Sequence, residues 1–86
     1  MASRTLRPEF VQAVEQAFAQ ISQRELGPLT AERPLAELGL DSVSLVELVL
    51  NLEDQLDLHI PQERLEELRT FGDLQDLVEE LEAAKG

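Results

Sequence analysis

Asp41 and Ser42 are the residues best placed to do chemistry in this chain. They lie in the run Leu38-Gly39-Leu40-Asp41-Ser42-Val43-Ser44-Leu45, where an irregular stretch turns into a leucine-rich helix. A helix start offers free backbone N–H groups and the positive end of the helix dipole, and both favour an anion such as a phosphate esterified to a serine. The same position suits an N-cap, since Ser and Asp satisfy the first orphan N–H groups of many helices. Ser42 therefore reads as a cap, as the loading point for a covalently attached group, or as both. Its setting is more particular than a cap requires: Gly39 stands two residues before Asp41, Leu38 and Leu40 are apolar, and the helix that follows is unusually apolar.

Little else in the chain is suited to catalysis. There is no Cys and a single His, His59, which removes disulfides, thiol nucleophiles and Cys-based zinc sites and nearly removes histidine acid–base chemistry. His59 precedes Ile60-Pro61 in a loop and reads as structural. Ser42 lacks the Gly-x-Ser-x-Gly setting of a serine hydrolase, and no Gly-rich phosphate loop, metal site or internal repeat is present. At 86 residues the chain suits one domain, 1–86, with 1–6 as a loose leader, and is too small for a deep cleft between lobes. Eighteen acidic against seven basic residues give a net charge of -11. Such a surface repels nucleic acid and anionic lipid, attracts basic patches on protein partners, and makes that attraction salt-sensitive. No apolar run approaches the ~20 residues that span a bilayer, and the N-terminus lacks a secretory apolar core, so a cytoplasmic protein is expected.

The elements that position Asp41-Ser42 follow from periodicity. Pro8 suits a first helical turn, and Phe10, Ala13, Val14, Ala17, Phe18 and Ile21 form one stripe of a helix that Gly27-Pro28 closes. From Leu29 to Asp41 the pattern is irregular, with Leu29, Leu35, Leu38 and Leu40 available to pin a long connection. The second helix, about 42–56, is apolar over much more than a stripe and should be central. Ser44, Glu47, Asn51 and Asp54 form a polar ribbon along it, beside which Val43 and Leu50 read either as core or as apolar knobs of a docking face. A short third helix, roughly 62–68, would turn Leu65 and Leu68 inward. Thr70 and Asp73 form a cap of the Thr-x-x-acid type, and Phe71, Leu74, Leu77, Val78 and Leu81 give the stripe of a last helix ending near Lys85-Gly86. The expected fold is all-α: a small four-helix bundle of three main helices and one short helix, with a long first loop.

The stretch Pro34-Leu35-Ala36-Glu37-Leu38-Gly39-Leu40-Asp41-Ser42-Val43 resembles the modification signature of the acyl carrier protein family, with Val43 in place of the commoner Leu or Met. Val46-Glu47-Leu48, Leu56-Asp57-Leu58-His59-Ile60-Pro61 and Thr70-Phe71-Gly72-Asp73-Leu74 are similar to further landmarks of that family, in the same order. The resemblance covers nearly the whole chain. It implies that Ser42, flanked by Asp41, carries 4'-phosphopantetheine transferred from coenzyme A by a separate Mg-dependent phosphopantetheinyl transferase, and that the arm's thiol holds acyl groups as thioesters. The chain itself would then be no enzyme. By the same resemblance, Val43, Glu47, Leu50, Glu53 and Asp54 face partner enzymes with basic patches, among them acyl-loading, acyl-transferring and condensing enzymes of fatty acid, polyketide or related biosynthesis. Val46, Ile60 and Leu65 border a space between the second and third helices that an acyl chain can enter, or are plain core. A monomer without nucleic-acid or membrane partners is expected. The rival readings are an aminoacyl or peptidyl carrier of nonribosomal synthesis, which more often shows Gly-Gly-His/Asp-Ser at the site, and an unmodified acidic interaction domain in which Ser42 only caps a helix.

Overall fold

The computed structural model describes residues 5–85. Over these the chain forms α1 (Pro8–Ile21), α2 (Ser42–Leu56) and α3 (Phe71–Lys85), with 3-10 helices at Leu35–Leu38 and Gln62–Glu67. No strand occurs among the described residues, only an isolated antiparallel bridge between Pro34 and Thr70. This is the all-α bundle of three main helices and a short one that the periodicity predicts, the short helix taking the tighter 3-10 form.

Pro8 occupies the first turn of α1, where its missing N–H costs nothing. Phe10, Ala13, Val14, Ala17 and Phe18 bury the expected stripe, and α1 packs against α2. Two expectations about this region change. The helix stops at Ile21 instead of running to Gly27-Pro28, because Ser22 is extended (φ -152, ψ 147) and its hydroxyl accepts from the Arg24 N–H at 3.1 Å. Such side-chain-to-backbone bonds compete with helix continuation, and the irregular path that results buries Leu26. Of the expected loose leader, residues 1–4 lie outside the described residues, whereas Leu6 is buried in the core. The next backbone N–H, that of Arg7, donates at 2.6 Å to Oε1 of Gln75, which satisfies a polar side chain that is only 2% exposed.

The connection from Ser22 to Asp41 is long but tied to the start of α3. Gly72 N–H donates to Ala31 O at 2.8 Å, Phe71 N–H to Arg33 O at 3.1 Å, and Leu35 N–H to Arg69 O at 2.8 Å. Leu38 drops into the core, while Leu29, Leu35 and Leu40 pack partly buried against it. These are the four leucines the sequence offers as pins.

The bounds of α2 match the sequence expectation, and its inward face buries Leu48, Val49 and Leu52. It ends where Asp57 adopts the left-handed conformation (φ 54, ψ 49) and Leu58 N–H closes on Glu53 O at 3.1 Å. Lys85 Nζ meets both Asp57 O (2.6 Å) and Asp57 Oδ2 (3.1 Å), which ties the end of α3 to the end of α2. At the other end of α3 the expected reciprocal cap is present: Asp73 N–H donates to Thr70 Oγ1 and Thr70 N–H to Asp73 Oδ2, each at 3.2 Å. Phe10, Phe71, Leu48, Leu52, Val14 and Val78 are the largest fully buried side chains, each contributing about 1.5–3 kcal/mol by burial.

Candidate functional site

The site is built at the first turn of α2. Gly39 turns the chain out of the preceding 3-10 helix in the left-handed conformation, φ +68, which costs a side-chain-bearing residue about 1–2 kcal/mol. Asp41 then caps α2: its Oδ1 accepts from the Ser44 N–H at 2.7 Å. The Ser44 N–H, and after it the Ser44 hydroxyl, hold the Asp41 carboxyl below its ordinary value. The cap is therefore Asp41, and Ser42 is the first helical residue. This removes the reading in which Ser42 exists to cap the helix.

Ser42 is exposed, and its hydroxyl has no hydrogen-bond partner among the described residues. No acidic residue lies in the first turn of α2, and the flanking Asp41 carboxylate is already engaged by Ser44. An accessible hydroxyl at the positive end of a helix suits an anionic phosphodiester, so the residues present fit a phosphate-linked group at Ser42. His59 lies beyond the opposite end of α2, a helix that spans about 22 Å.

The five expected docking residues divide. Val43 and Leu50 are 67% and 54% exposed, the large apolar side chains that stand out on the surface, and Glu47 and Asp54 are exposed beside them. Glu53 differs, with its side chain only 16% exposed. Its Oε2 accepts from the Ile60 N–H at 2.5 Å and lies 3.4 Å from His59 Nδ1. Its carboxylate is engaged by the loop that follows α2, which sets it apart from the exposed Glu47 and Asp54. The sequence signal was available: Glu53 falls outside the Ser44, Glu47, Asn51, Asp54 ribbon.

Two spaces adjoin α2. A cavity of about 490 Å³ is walled by Leu45, Leu48, Val49 and Leu52 of α2, faces Leu65 and Leu68, and reaches Leu40 two residues before Ser42. A more open space of about 360 Å³ lies between α2 and the second 3-10 helix, bordered by Val46, Ile60 and Leu65 together with Glu53 and His59. Of the three pocket residues expected from sequence, Leu65 borders both spaces, while Val46 and Ile60 border only the second. Sequence reasoning assigned Leu45, Leu48 and Leu52 to α2 without placing them on a cavity wall; their 3- and 4-residue spacing was the signal.

Comparison with known proteins sets this geometry among relatives. The family described as "Phosphopantetheine attachment site" matches residues 12–78, a span that contains Ser42 and all of α2. The chain is 37% identical over 78 residues to an acyl carrier protein of Saccharopolyspora erythraea, covering 90% of this chain and 82% of that one. It is 36% identical over 67 residues to an acyl carrier protein of an Exiguobacterium species, covering 77% and 85%. With a chloroplastic acyl carrier protein of Brassica napus it shares 34% identity over 80 residues, 92% of this chain but 60% of the plant protein. The chain thus spans about 60% of the length of that plant relative. No helix among the described residues is long and apolar enough to cross a membrane.

Proposed function

Because the chain belongs to the acyl carrier protein family, we propose that it presents acyl groups to partner enzymes on a 4'-phosphopantetheine arm attached through Ser42. The observation that carries this reading is Ser42 itself, exposed at the first position of α2 within the matched span, with its hydroxyl uncommitted. In the loading step Ser42 Oγ attacks the phosphorus that bears the pantetheine arm in coenzyme A. The P–O–P bond breaks, adenosine 3',5'-bisphosphate leaves, and the hydroxyl proton passes to a base of the transferase. The attached arm supplies a terminal thiol on which acyl groups are held as thioesters.

The chain's own residues hold position and recognition. Asp41 caps α2 and keeps Ser42 at its rim, and the positive helix end favours the phosphodiester. Val43 and Leu50 are the apolar knobs, and Glu47 and Asp54 the charges, that meet a basic patch on a transferase or an acyl-transferring enzyme. Glu53 supports that face from behind by fixing Ile60. The apolar cavity beside Leu40 and Leu45 is the space into which a carried chain folds, with Leu65 on its far wall. In this reading residues 1–86 act as one monomeric carrier unit, in the cytoplasm with its partners, and catalysis lies with those partners in fatty acid, polyketide or related biosynthesis.

Incubation with coenzyme A and a broad-specificity phosphopantetheinyl transferase tests the reading. One phosphopantetheine is expected on the intact mass of the wild type and none on Ser42→Ala. An unchanged wild-type mass overturns the attachment, and a gain that persists in Ser42→Ala overturns the residue.

A further inference from the structure

The 3-10 helix Leu35–Leu38 leads the chain into Asp41-Ser42, and its two ends are held by different means. Its front is bolted by main chain, through the Leu35 N–H to Arg69 O bond of 2.8 Å and the Pro34–Thr70 bridge. Its back is held by Arg24, whose Nη2 donates to Leu38 O at 2.5 Å across fourteen residues of sequence. Otherwise the main chain of 38–40 is held, among the described residues, by local 3-10 bonds, such as that from Gly39 N–H to Ala36 O at 3.1 Å.

The guanidinium also covers the Gly39 turn, since a Cβ there would lie 3.8 Å from both of its terminal nitrogens. Arg24 is itself fixed, its backbone N–H bonded to Ser22 Oγ just past the end of α1. In a chain with 18 acidic and 7 basic residues, Arg24 makes no ion pair with a carboxylate among the described residues, unlike Arg7, Arg33 and Arg64. Its charge is committed to a carbonyl three residues before Asp41.

We propose that Arg24 is a positioning residue for the modification of Ser42: by pinning the Leu38 carbonyl it holds Gly39-Leu40 in the one exit path that presents Asp41-Ser42 at the start of α2. The proposal rests on Ser42 being the attachment residue. Without the clamp, Gly39-Leu40 samples other paths while the Leu38 side chain stays in the core. A transferase that takes up only the held conformation then sees a lower effective concentration of carrier, because apparent affinity falls by the fraction of competent molecules. The loss falls on KM, with kcat kept once the carrier is bound.

The test compares wild type, Arg24→Ala and Arg24→Lys, with coenzyme A and a phosphopantetheinyl transferase, well below the thermal transition of each protein. Arg24→Ala is expected to raise KM for the carrier about 5-fold with kcat within about 2-fold, and Arg24→Lys, which keeps one charged donor, to recover part of the loss. Amide hydrogen exchange is expected to quicken at Gly39, whose N–H is held by Ala36 O, while the buried amides of α2 and α3 keep their protection, a pattern that general destabilisation does not produce. If the alanine variant does not fold, Arg24→Gln carries the same comparison. An unchanged KM in a folded variant overturns the proposal. So does a raised KM that disappears in high salt with exchange at Gly39 unaltered, because Arg24 would then be touching the transferase. A wild type that accepts no phosphopantetheine overturns the attachment reading itself, an outcome distinct from a modified wild type whose KM ignores Arg24.

Discussion

Removal of the Glu53 carboxylate is predicted to act on stability, unlike removal of its neighbour Asp54. Glu53 Oε2 accepts the Ile60 N–H at 2.5 Å from a side chain that is 16% exposed, and Ile60 is itself buried. A hydrogen bond to a charged group contributes about 1.5–3 kcal/mol, and its loss leaves a buried donor unsatisfied. Glu53→Ala should therefore cost about 2 kcal/mol. For a domain of this size, 1 kcal/mol shifts Tm by roughly 4–8 °C, so the expected fall is roughly 8–16 °C. Glu53→Gln keeps an acceptor and loses the charge, and should cost about 1 kcal/mol. Asp54→Ala, at an exposed position, should stay within about 0.5 kcal/mol of the wild type. Thermal and urea unfolding followed by circular dichroism measure all three. A Glu53→Ala protein as stable as Asp54→Ala would refute the strut and return Glu53 to the acidic docking line.

The exposed charges are expected to behave in the opposite way: Glu47→Lys or Asp54→Lys should slow phosphopantetheine transfer about 3- to 10-fold at low salt, converging with wild type as salt rises, while helicity is unchanged. Rates equal to wild type at low salt would remove the docking line. Phe71→Ala empties a fully buried position and should cost about 3–5 kcal/mol, a large share of the roughly 5–10 kcal/mol available to a small domain, visible as a lowered urea midpoint. The lowered Asp41 value means that the ionised carboxylate stabilises α2 above the ordinary carboxylate range, and that this contribution is lost as pH falls through the folded value. Below about pH 4 wild type should therefore lose stability faster than Asp41→Asn; parallel Tm curves from pH 5 to 2.5 would contradict the cap's ionic character.

Much of the fold was legible because local signals and burial agree. The bounds of α2 follow from Asp41 at one end and broken periodicity at Asp57 at the other, and the Thr70–Asp73 box announces α3. The end of α1 was misjudged for a local reason: Gly27-Pro28 is a strong breaker, but the Ser22 hydroxyl had already captured the Arg24 N–H. Leu6 lay in a short polar leader, and only the bond from the adjacent Arg7 N–H to Gln75 reveals how it comes to be buried. At the site, Ser42 was visible from its neighbours, whereas the division of labour between Asp41 and Ser42 depends on which side chain reaches the Ser44 N–H. The roles of Glu53 and Arg24 depend on partners seven and fourteen residues away, on loops whose paths no periodicity encodes. The cavity wall was hidden for a related reason, since Leu45, Leu48 and Leu52 look the same in sequence whether they meet another side chain or a space.

The claim on which the rest depends is that Ser42 bears the arm and that the arm bears acyl groups. Top-down mass spectrometry of the protein isolated from its native host addresses both parts at once. The predicted result is a phosphopantetheine localised to Ser42, with a fraction of molecules carrying a further acyl mass that hydroxylamine removes. A protein whose Ser42 is unmodified throughout, or whose added mass resides on another residue, would contradict the account.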